Sequence, residues 1–140
     1  GGLRHRVVAE APAVEDENGN RRTVNNLFMN GPEILNFTLR VVPETVLEVL
    51  RRSGRALEQI DLFVFHQANR YLLESLRKKL KVPAEKFWIG MADCGNTVSA
   101  TIPIALKQAE SAGRLRPGST VMVVGFGVGY SWAGALIRWG

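Results

Sequence analysis

The chain has 140 residues, of which 46% are hydrophobic and 22% are charged, which is typical of a folded globular protein and excludes a disordered or fibrous chain. At this length folding buries about two-thirds of the surface that the unfolded chain exposes, which is enough for one hydrophobic core. Eighteen basic and 13 acidic residues give a net charge of +5, which favours an acidic partner or an anionic ligand without requiring nucleic acid.

The N-terminus and the cysteine content favour a cytoplasmic protein. Residues 1–6 contain neither a methionine nor an apolar run, so we predict no signal peptide and interpret Gly1 as the point where a preceding segment was removed. One cysteine excludes an intrachain disulfide and favours a reducing compartment. Residues 117–137 carry no charge, but glycines interrupt them, so we predict two buried strands there instead of a membrane span.

The first third of the chain changes from an irregular to a helical pattern. We predict that residues 1–24 form an irregular segment with a strand and a loop, and that the folded domain covers residues 25–140. From Pro32 to Arg52 apolar residues recur at spacings of three and four, which predicts a helix. Pro43 lies inside this pattern and is expected to kink or divide the helix.

Strands and helices alternate through the rest of the chain. Apolar runs predict buried strands, and three- and four-residue spacings predict helices. This alternation predicts an α/β fold in which helices cover a sheet. The predicted elements are a strand at 60–65, a helix at 68–80, a short strand at 87–89, a helix at 99–112, and strands at 120–124 and 131–138 joined across a glycine loop at 125–129.

A polar motif, His66-Gln67-Ala68-Asn69, follows the predicted strand at 60–65 directly. Ligands bind at the carboxyl ends of strands in α/β sheets, and a histidine there can act as acid, base or hydrogen-bond donor near neutral pH. Position alone does not separate this role from a histidine that caps the next helix or is bonded in the core.

Two later segments offer hydrogen-bonding groups at comparable places. Asn96 carries a donor and an acceptor near a predicted helix N-terminus, where anionic oxygens are stabilised, although, taken alone, capping of the helix by Asn96, Thr97 or Ser99 is the preferred explanation. The glycine loop at 125–129 can present backbone N–H groups to an oxyanion, or be a plain hairpin. The sequence has no histidine and cysteine spacing typical of a metal site.

Much of the positive charge falls on the predicted helix at 68–80 and just after it. Arg70, Arg77 and Lys81 can share one helix face, which is either a solvated face or a docking surface for an acidic partner.

Together and in this order, the motifs resemble the C-terminal half of the β-ketoacyl-acyl carrier protein synthase III family. The resemblance covers roughly residues 25–140 and adds a segment that starts at Met29-Asn30-Gly31-Pro32 and a chain end at Arg138-Trp139. It implies the C-terminal half of a thiolase-like fold, a mixed sheet covered by helices that forms five layers when complete. It also implies a decarboxylative Claisen condensation of an acyl-CoA primer with malonyl-acyl carrier protein, with coenzyme A thioester as substrate and no cofactor or metal.

The resemblance places individual residues in this chemistry. His66 and Asn96 match the pair that holds the malonyl thioester carbonyl and stabilises the enolate formed on decarboxylation. Val128 matches the position whose backbone N–H contributes to an oxyanion hole. The positions that line the pantetheine and acyl tunnel or lie beside the catalytic pair are Gly31, Leu35, Ala68, Asn69 and Phe126, and the implied carrier-protein docking residues are Arg70, Arg77 and Lys81.

The nucleophilic cysteine of the family belongs to the N-terminal half, which this sequence does not contain. We interpret Cys94 as a small buried residue beside Asn96 and not as a substitute nucleophile. The implied partners are therefore an N-terminal half that carries the cysteine, acyl-CoA and acyl carrier protein, in a complex that is a dimer when complete. Neither nucleic acid nor a membrane is among the expected partners.

The helix at 99–112 carries a stripe of small residues, Ala100, Ala105, Ala109 and Ala112. In the thiolase fold this helix packs against its counterpart from the other half, so we expect the stripe to be partly exposed in this chain alone. An alternative function is a non-catalytic thiolase-like subunit that binds and stabilises a condensing enzyme or an acyl carrier protein. Such a subunit would not need both His66 and Asn96.

Overall fold

The computed structural model describes residues 10–26, 29–127 and 129–140. The contacts divide the chain into two compact units, Gly1–Ile34 and Leu35–Gly140, each of which is described by itself. The predicted domain boundary between residues 24 and 25 stays a prediction. Among the residues described, no helix combines the length and the apolarity that crossing a bilayer requires.

The first unit contains a short hairpin of two strands, β1 (Val14–Glu15) and β2 (Arg21–Arg22), which pair antiparallel. Asp16 shapes the turn between them, because its Oδ1 accepts hydrogen bonds from the backbone N–H groups of Asn18 and Asn20 at 3.0 and 2.9 Å. The strand residues are exposed, as expected for a solvated polar segment. Residues 3–9, which belong to the predicted N-terminal strand, lie outside the described residues.

The long helix α1 (Gly31–Ser53) runs without interruption through Pro43, so this proline does not divide the helix, and the alternative of a kink at Pro43 stays a prediction. A proline inside a helix lacks the N–H that would bond to the carbonyl four residues earlier, which here belongs to Leu39. The ammonium group of Lys79 donates to that carbonyl oxygen at 2.8 Å, and Pro43 itself is buried. A side chain from another helix therefore satisfies the group that the proline leaves without a partner.

The second unit is built on a three-stranded sheet in the order β3 (Leu62–Phe65), β4 (Thr120–Gly127) and β5 (Ser131–Arg138). Strand β3 pairs parallel with β4, and β4 pairs antiparallel with β5. The predicted strands are present, but β4 continues through Gly125 to Gly127, so part of the predicted glycine loop is strand. In place of the predicted strand at 87–89, the structure has an isolated parallel bridge between Phe87 and Phe63 of β3.

Two helices, α2 (Arg70–Lys79) and α3 (Thr101–Ser111), complete the second unit. Helix α2 begins at residue 70 and not at 68 because Asn69 caps it, with Oδ1 accepting from the N–H of Leu72 at 2.8 Å. Helix α3 follows a single 3-10 turn, Val98–Ala100, which takes the place of the first predicted residues of that helix. The two helices confirm the predicted alternation with strands.

Strand β3 lies between two apolar clusters, and its side chains alternate between them. Phe63 and Phe65 pack with buried residues of α1 and α2, whereas Leu62 and Val64 pack with buried residues of α3. All four side chains are buried because helices cover both faces of the sheet. The second unit is therefore an α/β/α arrangement, and the predicted fold class is confirmed.

The small-residue stripe of α3 is buried at its centre and exposed towards its ends. Ala105 and Ala109 are almost completely buried in the cluster that contains Leu62, Val64 and Val121, whereas Ala100 is half-buried and Ala112 is exposed. The expectation of partial exposure therefore holds at the ends of the stripe. It is wrong for Ala105 and Ala109, because their small side chains let the helix pack closely on the chain's own sheet.

Candidate active site

His66 lies at the carboxyl end of β3, where the parallel pairing with β4 ends. Its backbone N–H donates to the carbonyl oxygen of Val124 at 2.9 Å, which holds the residue against the sheet. The half-buried imidazole meets Phe126 edge to face, with ring centroids 5.2 Å apart and an interplanar angle of 84°. Burial lowers the pKa of His66 below its ordinary value, so the neutral imidazole is favoured at neutral pH.

Thr101, the first residue of α3, makes the side-chain contact that orients this imidazole. Its Oγ1 lies 2.6 Å from Nδ1 of His66 and 3.1 Å from the carbonyl oxygen of Val98. Thr101 is 2% exposed, so its hydroxyl lies in the interior. The contact leaves Nε2 as the nitrogen of His66 that can meet a ligand.

Asn96 lies in the loop before α3, and its amide is held by one hydrogen bond. Its Oδ1 accepts from the backbone N–H of Val98 at 2.9 Å. The acceptor side of the amide is thereby engaged, and the Nδ2 group can donate to a ligand. Asn96 is exposed in this chain, so the amide is accessible.

Val98 has a backbone φ of +56°, in the left-handed region. A β-branched residue is a genuine outlier there, and such strain costs about 1–3 kcal/mol. The N–H of Val98 donates to Oδ1 of Asn96, and its carbonyl oxygen lies 3.1 Å from Oγ1 of Thr101, so a side chain lies against each of its backbone polar groups. Strained residues held in this way cluster at functional sites, which supports a functional interpretation of the loop.

The four residues form one continuous chain of contacts. It runs from the imidazole of His66 through Thr101 and the backbone of Val98 to the amide of Asn96. His66 and Asn96, which are 30 positions apart, are thus both linked to Thr101 at the N-terminus of α3. An imidazole nitrogen and an amide N–H are the groups that these linked residues can offer to a polar ligand.

Gln67 holds the neighbouring segment in place, a role that its position in the motif does not predict. Its side chain is 2% exposed; Nε2 donates to the carbonyl oxygen of Phe65 at 2.7 Å, and Oε1 accepts from the N–H of Gly90 at 2.9 Å. Gly90 begins the connection that leads to Asn96. Gln67 therefore ties the end of β3 to the start of the loop that carries the candidate amide.

The predicted lining residues lie in different settings. Phe126 is buried beside His66, and Ala68 packs against the larger apolar cluster. Asn69 uses Oδ1 to cap α2, so only its Nδ2 remains for a ligand. Gly31 begins α1 in the first unit, and Leu35 packs against the larger cluster of the second unit.

The predictions for two loop residues, Cys94 and Val128, have different outcomes. Cys94 is exposed, so the interpretation of this residue as buried is wrong. The reason is that its loop runs over the surface of this chain, where the thiol meets backbone carbonyl oxygens such as that of Gly90 at 3.7 Å. Val128, the predicted oxyanion-hole position, lies outside the described residues.

The three predicted docking cations differ in how they are engaged. Arg77 forms an ion pair with Glu74 at 2.8 Å and donates to the carbonyl oxygen of Val82. Its guanidinium group is therefore already bound to groups of α2 and of the segment that follows this helix. Arg70 and Lys81 are exposed, at the two ends of the helix. Lys81 follows the helix C-terminus and has a φ of +56°.

Comparisons with known proteins identify the family to which the chain belongs. The family model for the C-terminal domain of 3-oxoacyl-[acyl-carrier-protein] synthase III matches residues 50–139. A β-ketoacyl-[acyl-carrier-protein] synthase III from Acaryochloris marina is 40% identical over 91% of this chain and 39% of its own length. The chloroplastic enzyme of the same name from Arabidopsis thaliana is 37% identical over 79% of this chain and 28% of its own length.

Solved structures give the same result for the fold. A 3-oxoacyl-(acyl-carrier-protein) synthase III superposes with a TM-score of 0.90 at 46% identity, covering 99% of this chain and 42% of that one. The Thermus thermophilus β-ketoacyl-[acyl carrier protein] synthase III superposes with a TM-score of 0.81 at 38% identity, covering 97% and 41%.

These similarities confirm that the fold is the C-terminal half of a thiolase-like architecture. The chain spans well under half the length of the relatives reported above. Because the family model covers more than half of the chain, the chain belongs to the 3-oxoacyl-[acyl-carrier-protein] synthase III family, whose C-terminal domain it carries.

Proposed function

We propose that this chain supplies the histidine and asparagine of a ketoacyl synthase III active site, which condenses an acyl-CoA primer with malonyl-acyl carrier protein. The chain of contacts from His66 through Thr101 and Val98 to Asn96 is the observation that supports this proposal most directly. It leaves Nε2 of the imidazole and Nδ2 of the amide as the groups that can meet a thioester oxygen.

In the proposed step, the malonyl carboxylate leaves as carbon dioxide and its bonding electrons pass into the thioester, which becomes an enolate. Hydrogen bonds from His66 and Asn96 stabilise the negative charge that develops on the thioester oxygen. The enolate carbon then forms a carbon–carbon bond with an acyl group held on a cysteine, and the cysteine thiolate leaves. Phe126, buried beside His66, contributes apolar surroundings that strengthen these hydrogen bonds.

The acyl group requires a nucleophilic cysteine from the preceding part of the family's chain. Cys94 is exposed on the loop before Asn96, and nothing in its surroundings identifies it as that nucleophile. We therefore propose that the 140 residues alone have no condensing activity, and that activity requires the N-terminal half, in the same polypeptide or as a second subunit.

The test joins this chain to the N-terminal part of the A. marina relative and measures two steps separately. His66→Ala and Asn96→Ala should each abolish carbon dioxide release from malonyl-acyl carrier protein, while transfer of the acyl group from acyl-CoA to the cysteine survives. Cys94→Ser is the control and should leave both steps unchanged. Loss of acyl transfer in the His66 or Asn96 variant would show that the assigned roles are wrong.

The same variants separate the proposal from a non-catalytic subunit. A subunit that only binds and stabilises a condensing enzyme would keep the activity of its partner after His66→Ala or Asn96→Ala. Equal activity of both variants and the parent chain would therefore favour that alternative.

We also propose that Arg70, Arg77 and Lys81 dock the acidic carrier protein. Arg70 and Lys81 carry the test because Arg77 is paired with Glu74, and its replacement would also break that pair. Arg70→Glu and Lys81→Glu should raise the KM for malonyl-acyl carrier protein more at low salt than at high salt, because salt screens exposed charges. Arg55→Glu is the matched control, because Arg55 is also an exposed arginine but precedes β3 in the chain, whereas His66 follows that strand.

A further inference from the structure

The hydroxyl of Thr101 has one proton and two neighbouring acceptors. It lies 2.6 Å from Nδ1 of His66 and 3.1 Å from the carbonyl oxygen of Val98. A neutral imidazole carries its own single proton on either Nδ1 or Nε2. The position of the hydroxyl proton therefore decides which nitrogen of His66 is protonated.

The two arrangements predict different distances. If the hydroxyl donates to Val98, Nδ1–H of His66 must donate to Oγ1, and N–H···O bonds span 2.7–3.2 Å as a rule, about 2.9–3.0 Å most often. If the hydroxyl donates to Nδ1, a shorter bond is expected, because bonds with an O–H donor are shorter than those with an N–H donor, about 2.5–3.0 Å for O–H···O. The observed 2.6 Å fits the hydroxyl donor, and the 3.1 Å to Val98 is long for one.

We propose that Thr101 is a positioning residue that donates its hydroxyl proton to Nδ1 of His66 and thereby holds the neutral imidazole as the Nε2–H tautomer. Thr101 suits this role because it is the first residue of α3 and its side chain is 2% exposed, so water does not compete for Nδ1. The backbone of His66 is itself fixed to β4, so both partners are held by regular secondary structure.

The consequence for chemistry rests on the proposed function of His66. With its proton on Nε2, the imidazole can donate a hydrogen bond to a thioester oxygen, and with its proton on Nδ1 it can only accept one there. Thr101 would thus determine whether the residue acts as a donor, without touching the substrate.

The experiment determines the tautomer in the 140-residue chain without substrate, so its outcome does not depend on any condensation assay. The chain contains two histidines, and His5→Gln leaves His66 as the single one. Long-range proton–nitrogen correlation spectra of the 15N-labelled chain at about pH 8, where an ordinary histidine is neutral, distinguish the two tautomers. Thr101→Val removes the hydroxyl while keeping the shape, and Thr101→Ser retains it.

The parent chain and Thr101→Ser should show only the Nε2–H pattern, and Thr101→Val should show the Nδ1–H pattern in addition. An Nδ1–H pattern in the parent chain would overturn the proposal, as would a Thr101→Val spectrum identical to that of the parent. If Thr101→Val does not fold, the tautomer of the parent chain and of Thr101→Ser decides alone. Failure here with a successful decarboxylation assay would reject the role of Thr101 and leave the proposed function standing.

Discussion

Helix α1 lies close to the sheet at Gly134, and an alanine there should destabilise the chain. A Cβ built on Gly134 of β5 lies 2.7 Å from Cγ2 of Thr45 and 3.3 Å from Cγ2 of Val49, both on α1. Real Cβ atoms essentially never have neighbours closer than 3.0 Å, so Gly134→Ala requires the side chain of Thr45, or α1 or β5 itself, to move. The close approach explains why this position of β5 has no side chain.

The expected magnitude combines two opposing effects. Forcing an extra carbon into a packed interface costs about 1–3 kcal/mol, whereas replacing glycine by alanine gains about 0.4–1 kcal/mol through the unfolded chain. We therefore expect Gly134→Ala to lower the free energy of unfolding by about 1–2 kcal/mol, measured by urea denaturation. Gly125→Ala on β4 is the matched control, because its nearest contact is 3.7 Å from Ile102, and its stability should change by less than about 1 kcal/mol.

Thr45→Ser tests whether the clash with Cγ2 is the cause. Serine lacks Cγ2 but retains the hydroxyl, which in Thr45 donates to the carbonyl oxygen of Val41 at 2.7 Å. In the double variant, Gly134→Ala should cost less than it does alone, with an interaction energy of at least about 0.5 kcal/mol. Additive effects of the two changes, or equal stabilities of Gly134→Ala and Gly125→Ala, would refute the reasoning.

Two further predictions concern His66 and Lys79. Burial lowers the pKa of His66 below its ordinary 6.5, so between the folded and unfolded pKa values the unfolded chain binds more protons, and the free energy of unfolding falls as the pH is lowered through that window. Urea titrations should show a smaller loss of stability from about pH 7 to about pH 5 in His66→Gln than in the parent chain, and equal losses would contradict the prediction. Lys79→Met removes the donor to the carbonyl that Pro43 leaves unpaired, and should cost about 0.5–1.5 kcal/mol in urea denaturation. The neighbouring Lys78→Met is its control, and equal stabilities of the two variants would rule out this role for Lys79.

The sequence by itself determined the fold class, because its hydrophobic periodicity switches between the two regular structures. The apolar run in β3 and the three- and four-residue spacings of the helices follow directly from which side chains must leave water. The order of the three motifs also identified the family before any contact was known. The strands, the helices and the order of the motifs all follow from the local pattern of residues. Burial of the apolar side chains then stabilises the elements that this pattern predicts.

Tertiary contacts decided the points where the local pattern was ambiguous. Pro43 is a helix breaker in isolation, and its helix continues because Lys79, 36 positions later, satisfies the carbonyl that the proline leaves unpaired. The small residues Ala105 and Ala109 fit either a second half of the fold or the chain's own sheet, and only packing shows that they meet the sheet. A prediction from neighbouring residues cannot include these contacts, because the partners are far apart in the sequence.

In the candidate site, too, the sequence identifies some residues and only the tertiary structure reveals others. His66 and Asn96 were identified from the sequence because residue types and motif order carry that information. Thr101 was not, since a threonine at a helix start ordinarily signals a cap, and its importance arises only from folding within 2.6 Å of a nitrogen 35 positions earlier. The sequence therefore determined which groups are available for chemistry, whereas the tertiary structure decided which of them orient one another, because hydrogen-bond geometry between distant segments exists only in the folded chain.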